Sequence, residues 1–192
     1  MVLYLSIIFV SAFIISLFNI LFGLSTLNCQ WWFVVVAVAV GIIFEFLLDL
    51  IIAIIIKKSP NKWYGPEKKI FNVPAWYKNF AERIGVKAWK DKIWELGSVG
   101  GFSKREVKDP RNPEYIEQFL IEINKGIITH YIICLLGFTL MVVFPPNYIL
   151  QISLPIAFVN MFLNLLPIVV LKYNYPKLKA VLKRLNRNQG NI

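Results

Sequence analysis

Residues 31–58 read WWFVVVAVAVGIIFEFLLDLIIAIIIKK, and this stretch decides the fold class. Its apolar part, 31–56, is longer than the roughly 20 residues that an α-helix needs to cross the hydrocarbon core of a bilayer. It begins with two tryptophans and is followed by two lysines, so indole rings lie at one membrane interface and ammonium groups at the other. The stretch therefore predicts a transmembrane helix.

Three further apolar runs, at 3–24, 127–144 and 149–171, have the same character. The chain of 192 residues is 57% hydrophobic and 17% charged, whereas soluble domains are roughly half apolar and a quarter charged. No Lys or Arg precedes the first run, so we expect a retained helix there rather than a signal peptide. The sequence predicts an all-α integral membrane protein with four transmembrane helices.

The net charge of +10 is divided unevenly along the chain. No Lys or Arg occurs in residues 1–56 or 126–171, whereas fifteen lie in 57–125 and six in 172–192. This alternation follows the positive-inside rule, so we expect both termini and the long loop to be cytoplasmic. Because the cations adjoin membrane segments, nucleic-acid binding is excluded. Four segments result: a transmembrane helix pair (1–56), a cytoplasmic interfacial segment (57–126), a second transmembrane helix pair (127–171) and a basic cytoplasmic tail (172–192).

The interfacial segment mixes its fifteen cations with tryptophan and phenylalanine. This composition suits a segment that lies in the lipid headgroup layer, and it equally suits a small folded cap with an aromatic core. The two alternatives are compatible. From Asn112 onward the pattern is helical, with Asn112 as N-cap and Pro113 at the first position. We expect one helix from Pro113 to about Phe144.

The last apolar run leads into a basic end. Pro167 is expected to kink the last helix and to free backbone carbonyls near Asn164. Beyond residue 177, leucine and valine recur at helical spacing among lysines and arginines. This pattern predicts a basic amphipathic helix on the cytoplasmic leaflet, and anchoring alone is one explanation of it.

Ionisable side chains within apolar helices are candidates for function because burying them in lipid is costly. Glu45 and Asp49 are four residues apart and share a helical face. Either they serve a hydrated site, or they form a polar seam that joins this helix to Asn160, Asn164 or the helix of His130. His130, the one histidine of the chain, is a candidate proton acceptor, with an interhelical hydrogen bond as the structural alternative.

No Cys/His cluster of metal-ligand spacing exists in the sequence, so we expect no metal. Cys29 is placed near the outer surface and Cys134 inside a helix, so we expect no disulfide between them.

Several motifs, taken in order, resemble one family. They are Val86-Lys87-Ala88-Trp89-Lys90-Asp91-Lys92, Gly97, Gly101-Phe102-Ser103-Lys104, Glu122 with His130, Asn164-x-x-Pro167-Ile168, and Lys172-Tyr173-Asn174-x-x-Lys177-Leu178. The ordered set resembles the glycosyl-4,4'-diaponeurosporenoate acyltransferase family over residues 70–185. The chain has Ile127 where the family usually has glutamate, and Lys172 and Tyr175 in place of two arginines. These departures leave another glycolipid acceptor equally compatible with the residues.

The resemblance implies a membrane enzyme that attaches a fatty acyl chain to the sugar of a glycosylated carotenoid acid. We expect His130 to be the general base, Glu122 to orient the sugar or to polarise a bridging water, and Asn164 to donate to the oxyanion or to the headgroup. The candidates for binding the acceptor or an anionic acyl donor such as acyl-CoA are Trp89, Lys90, Lys92, Asn164, Lys172, Tyr173, Asn174 and Lys177. No cofactor is expected beyond the donor, and the partners are membrane lipid and glycolipid.

The rival hypothesis is a non-enzymatic membrane protein that binds a lipid or a partner subunit. In that protein Glu45, Asp49 and His130 hold helices together and carry out no chemistry.

Overall fold

The computed structural model of the chain describes residues 2–93 and 107–189, and within these ranges it contains helices and turns but no strand. Four helical stretches are long and apolar enough to cross a membrane: Leu3–Leu27, Trp31–Lys58, Pro113–Val143 and Pro146–Asn188. The predicted all-α fold with four membrane helices is confirmed. Of the 18 most apolar consecutive residues in the first stretch, 11% are buried within the protein, as expected for a helix that faces lipid.

The first stretch contains α1 (Val2–Phe18), a π-helical turn (Asn19–Gly23) and α2 (Leu24–Leu27). The sequence predicted one continuous helix over residues 3–24. Hydropathy did not predict the π turn within it. The Asn19 side chain accounts for it, because its amide donates both to the Ile15 carbonyl and to the Gln151 carbonyl, each at 2.8 Å. Gln151 itself lies in a second π turn, Ile149–Ser153.

Helix α3 (Trp31–Lys58) follows a tight reversal at Asn28, whose φ of 51° is left-handed. Asparagine tolerates this conformation better than most residues because its short polar side chain bonds locally. Two short helices come next, α4 (Trp76–Arg83) and α5 (Val86–Trp89), joined through Gly85 at φ 68°.

Helix α6 (Pro113–Leu136) begins where the sequence predicted. The Asn112 carboxamide oxygen accepts hydrogen bonds from the backbone N–H of Glu114 at 3.0 Å and of Tyr115 at 3.2 Å, so the predicted N-cap is present. The expected helix to about Phe144 is interrupted by a 3₁₀ turn, Gly137–Thr139, before α7 (Leu140–Val143).

Helix α8 (Leu154–Gln189) joins two elements that the sequence suggested separately, the last membrane span and the basic amphipathic end. It continues through Pro167 and Pro176. Pro167 has no N–H to give to the Leu163 carbonyl one turn earlier. The Tyr4 hydroxyl donates to that carbonyl instead, so the freed backbone group near Asn164 is satisfied by another helix.

The chain forms two compact units. The apolar unit comprises Met1–Ile55 and Tyr131–Leu165, and the cationic unit comprises Ile56–His130 and Leu166–Ile192. Each has its own core. The apolar unit buries Leu27, Val34, Ala37, Val38, Leu140, Tyr148, Ile152 and Ile156. The cationic unit buries Tyr64, Phe71, Ile116, Phe119, Leu120, Ile123, Ile127, Leu171, Tyr175 and Leu182.

Candidate functional site

Helix α6 carries both predicted catalytic residues. Glu122 is half-buried, and one of its carboxylate oxygens accepts a hydrogen bond from the Gln118 amide at 3.2 Å. His130 is half-buried and lies eight residues further along the same unbroken helix. At 1.5 Å per residue the two are about 12 Å apart along the axis, so they do not touch but can flank a bound headgroup.

Between them, the structure buries two polar residues, and the sequence predicted neither as a site residue. Asn124 is fully buried, and its amide donates to the Tyr64 carbonyl at 2.8 Å and to the Tyr175 hydroxyl at 3.4 Å. Lys125 is 6% exposed, and its ammonium donates to the Lys57 carbonyl at 3.2 Å. One signal was present in the sequence, because Asn124 is four residues after the apolar Leu120 and so falls on the buried face of α6.

Lys125 also lies 5.6 Å from the centre of the Tyr64 ring. Lys57 belongs to the last turn of α3, where unpaired carbonyls give the helix end a partial negative charge. A lysine there is held by dipoles and by the face of an aromatic ring. Lys125 is therefore a buried cation on the helix of His130. The two residues are five positions apart, which is about 7.5 Å along the helix axis.

The C-terminal motif, Lys172-Tyr173-Asn174-x-x-Lys177-Leu178, packs against α4 and the start of α5. The Tyr173 hydroxyl donates to Glu82 Oε1 at 3.2 Å, and the Lys87 ammonium lies 3.1 Å from the same oxygen. One carboxylate therefore joins two of the sequence motifs that were far apart in the chain. Hydrogen bonding from Lys87 lowers the pKa of Glu82 below its ordinary value, and the same bond raises the pKa of Lys87.

Two lysines of this motif lie over aromatic rings. The Lys172 ammonium is 5.7 Å from the centre of the Tyr77 ring, and that of Lys177 is 4.3 Å from the centre of the Tyr173 ring. The attraction between an ammonium group and the face of an aromatic ring holds each charge in place. The structure thus brings together Lys172, Tyr173 and Lys177, while Asn174 is half-buried on the same turns of helix.

The predicted residues around α5 are arranged differently. The Trp89 indole N–H donates to the Ile84 carbonyl at 3.0 Å and so ties α5 back to the end of α4. The Lys90 ammonium lies 4.0 Å from the Asp91 carboxylate, and Lys92 is exposed. Gly97 and the Gly101-Phe102-Ser103-Lys104 motif lie outside the described residues.

An open cavity of about 340 Å³ adjoins the C-terminal motif on helix α8. Its walls include Tyr175 and Pro176, and its cationic side is formed by Lys179 and Lys183. The Lys179 ammonium donates to the Asn72 carboxamide oxygen at 2.9 Å. Lys179 and Lys183 therefore extend the basic surface that Lys172 and Lys177 form on α8.

The apolar unit contains the second cluster of predicted residues. Glu45 is 5% exposed, and its Oε2 accepts a hydrogen bond from the Asn160 amide at 2.8 Å. The Asn164 amide donates to the Asn160 carboxamide oxygen at 2.9 Å and to the Asn160 backbone carbonyl at 3.0 Å. Asp49 lies one turn from Glu45 on the same face of α3. These hydrogen bonds join α3 to α8 as the predicted polar seam would, and they engage the side chain of Asn164.

Gly137 lies against this seam. A Cβ atom at that position would be 2.9 Å from the Asn160 amide nitrogen and 3.1 Å from Glu45 Oε2. A methyl group at this position would crowd both partners of the hydrogen bond, so the ends of the Asn160 and Glu45 side chains would have to shift. Among the described residues, no group of three or more His, Cys, Asp and Glu side chains is placed to hold a metal ion.

Comparison with known proteins connects these elements to an activity. Searches of curated proteins and of solved structures found no match. The glycosyl-4,4'-diaponeurosporenoate acyltransferase family matches residues 60–184, or 125 of the 192 residues. The match covers α6, the α4–α5 region and the C-terminal motif, and it confirms the prediction of an acyltransferase. The chain therefore belongs to the glycosyl-4,4'-diaponeurosporenoate acyltransferase family.

Proposed function

We propose that the protein esterifies a sugar hydroxyl of a membrane glycolipid, either a glycosylated carotenoid acid or another glycolipid, at the cytoplasmic face of the membrane. The observation that carries this proposal is the continuity of α6 from Pro113 to Leu136. It places Glu122, the buried cation Lys125 and His130 in sequence along one helix. All three belong to the region that the family matches.

The reaction requires a base, because a neutral sugar hydroxyl is a weak nucleophile at neutral pH. In the proposed mechanism a ring nitrogen of His130 takes the hydroxyl proton while the oxygen attacks the acyl carbonyl carbon. The tetrahedral intermediate then expels the donor's leaving group, for acyl-CoA a thiolate, which receives the proton from the imidazolium. Histidine suits both steps because its ordinary pKa lies near neutral pH.

Glu122 is assigned to the sugar, because a carboxylate accepts hydrogen bonds from hydroxyl groups. The donor is assigned to the basic surface. Lys172 and Lys177, held over aromatic rings, bind its anionic part together with Tyr173 and Asn174. Trp89, Lys90 and Lys92 extend this surface from α5. Asn164 is left out of the chemistry because its amide is used within the seam.

The orientation follows from charge. The cationic unit contains all the lysines and arginines of the chain, and loops rich in these residues stay in the cytoplasm. A cytoplasmic site is also the one that a soluble thioester donor reaches. We propose that both termini and the loop face the cytoplasm.

The test replaces His130 with glutamine, which keeps the size and one hydrogen-bonding end but does not accept a proton at neutral pH. Acyl transfer to a glycolipid acceptor is measured in membranes by mass spectrometry, and we expect a loss of about 100-fold or more. Thr129→Val is the matched control, since the Thr129 hydroxyl donates to the Lys125 carbonyl one turn earlier. Full transfer by a folded His130→Gln protein would rule out this mechanism.

A further inference from the structure

Helix α4 presents an apolar stripe to its surroundings. Trp76 is 62% exposed, and Phe80 and Ile84 are each 43% exposed. The Trp76 and Phe80 ring centres are 6.2 Å apart, so the side chains form one patch. Large apolar side chains of a folded segment are normally buried, so a contiguous exposed row requires a partner.

The helical geometry separates this stripe from the residues that hold the helix in place. At 100° per residue, positions 76, 80 and 84 fall within about 80° of one another. Tyr77 and Ala81 lie next to that arc and are buried in the cationic unit. Lys78 and Asn79 lie on the remaining side and are exposed. The stripe therefore remains available when α4 is packed in place.

The charge around the stripe identifies the partner. Arg83 borders it on α4, Lys87 follows on α5, and residues 57–125 carry fifteen cations against nine acids. Apolar rings bordered by cations match the boundary between acyl chains and anionic lipid phosphates. A protein partner fits less well, because three such side chains bury about 500 Å² or less. Stable protein interfaces bury about 800 Å² on each partner.

We infer that Trp76, Phe80 and Ile84 insert into an anionic leaflet and anchor α4 at the depth of the acyl boundary. The sides of α4 away from the stripe hold the C-terminal motif, through Tyr77 beneath Lys172 and through Glu82 beneath Tyr173. The anchor therefore sets the depth at which the basic surface meets a lipid substrate. The anchor itself is independent of the reaction, while its effect on catalysis rests on the proposed function.

Site-directed spin labelling tests the insertion directly. The full chain, with Cys29 and Cys134 replaced by serine and alanine, is placed in vesicles of phosphatidylglycerol and phosphatidylcholine. Labels at Trp76→Cys, Phe80→Cys and Ile84→Cys are compared with labels at Lys78→Cys and Asn79→Cys on the same helix. A high rate of collision between the label and molecular oxygen indicates that the label lies in lipid. A high rate of collision with a water-soluble nickel chelate indicates that it lies in water.

We expect the ratio of oxygen to nickel collisions to be several-fold higher at the three stripe positions than at the two controls. Equal ratios at all five positions would overturn the anchor. Stripe labels shielded from both reagents would overturn it as well, because they would indicate a protein partner.

The catalytic consequence is measured separately. Trp76→Ser/Phe80→Ser is expected to lower acyl transfer to a vesicle-embedded acceptor several-fold, while Lys78→Ser leaves it unchanged. Unchanged transfer in the double variant would refute the role in setting depth. If the wild-type protein shows no acyl transfer, the proposed function fails, whereas the collision ratios still decide the anchor.

Discussion

The two units of this protein bury ionisable side chains of opposite type, a carboxyl group in one and an ammonium group in the other. In the apolar unit Glu45 is 5% exposed, and in the cationic unit Lys125 is 6% exposed. Residues 1–55 and 131–165 contain no Lys, Arg or His, so no cation of the apolar unit is available to Glu45. In the part of the chain that the structure describes, the partners of Lys125 are a backbone carbonyl and a tyrosine ring.

The difference shows how each environment satisfies a buried charge with dipoles. The membrane stretch of α8 offers amide N–H groups from asparagine side chains, because its backbone N–H groups are occupied within the helix. The end of α3 offers free carbonyl oxygens, because the last turn of any helix leaves them unpaired. The apolar unit buries a carboxyl group next to free amide N–H groups, and the cationic unit buries an ammonium group next to free carbonyl oxygens. The type of ionisable group that is buried thus matches the dipoles that are free nearby. Three changes test this comparison.

The largest effect is expected from Asn160→Leu. It removes the amide that donates to Glu45 Oε2 and leaves a buried carboxyl without that partner. The free energy of unfolding should fall by about 3 kcal/mol. The measurement is thermal unfolding of the protein in lipid nanodiscs.

The control for this change is the double variant Glu45→Gln/Asn160→Leu. Removing the carboxylate should recover part of the loss, because a neutral amide is less costly to bury than a charge. The double-variant cycle then gives the interaction between the two residues. A stability loss of Asn160→Leu that is the same with and without Glu45 would contradict the account.

An intermediate effect is expected from Lys125→Met. Methionine keeps an unbranched apolar stem against Tyr64 but loses the hydrogen bond to the Lys57 carbonyl and the interaction with the end of α3. The expected loss is about 1.5 kcal/mol, smaller than for Asn160→Leu because no buried charge is left without its partner. Lys58→Met, at an exposed neighbouring position, should be nearly neutral by the same measurement. Equal losses for the two lysines would show that Lys125 is not held as described.

The smallest effect is expected from Glu82→Gln, because the Glu82 side chain is one-third exposed and solvent screens its ion pair with Lys87. The pKa of Glu82 is lowered in the folded protein by hydrogen bonding from Lys87. The stabilisation is therefore present above the ordinary carboxyl pKa, and it is lost as pH falls through the lowered value. The melting temperature of the wild type should exceed that of Glu82→Gln slightly at pH 7, and the difference should vanish at low pH. A difference that grows on acidification would have the wrong sign for this pair.

Much of the fold could be predicted because hydropathy and capping are local properties. The stretch at 31–56 was predicted as a membrane helix, and α3 spans Trp31–Lys58. The Asn112 cap was predicted from one residue type followed by proline, and both of its hydrogen bonds are present. The π turn at Asn19–Gly23 was not predicted, because its side-chain partner is the Gln151 carbonyl, 132 residues away in sequence.

The candidate site was only partly predictable. His130 and Glu122 were named because ionisable groups near a membrane are unusual. Asn124 and Lys125 were not predicted as site residues, because their importance lies in burial beside Tyr64, Tyr175 and the end of α3. The hydrogen bond between Tyr173 and Glu82 could not be predicted from the sequence either, because the two residues are 91 positions apart.

The sequence by itself determined that this chain is helical, that it has four membrane stretches and that its cations are divided between two segments. Those properties follow from the length and polarity of consecutive residues, which lipid and water sort without reference to the rest of the chain. Only the tertiary structure decided which polar groups meet. It placed the Asn160 amide on Glu45, the Tyr4 hydroxyl on the carbonyl freed by Pro167, and Lys125 on the end of α3. The physical reason is that a buried polar group is stabilised by whichever dipole lies within about 3 Å of it, and sequence distance does not set that separation.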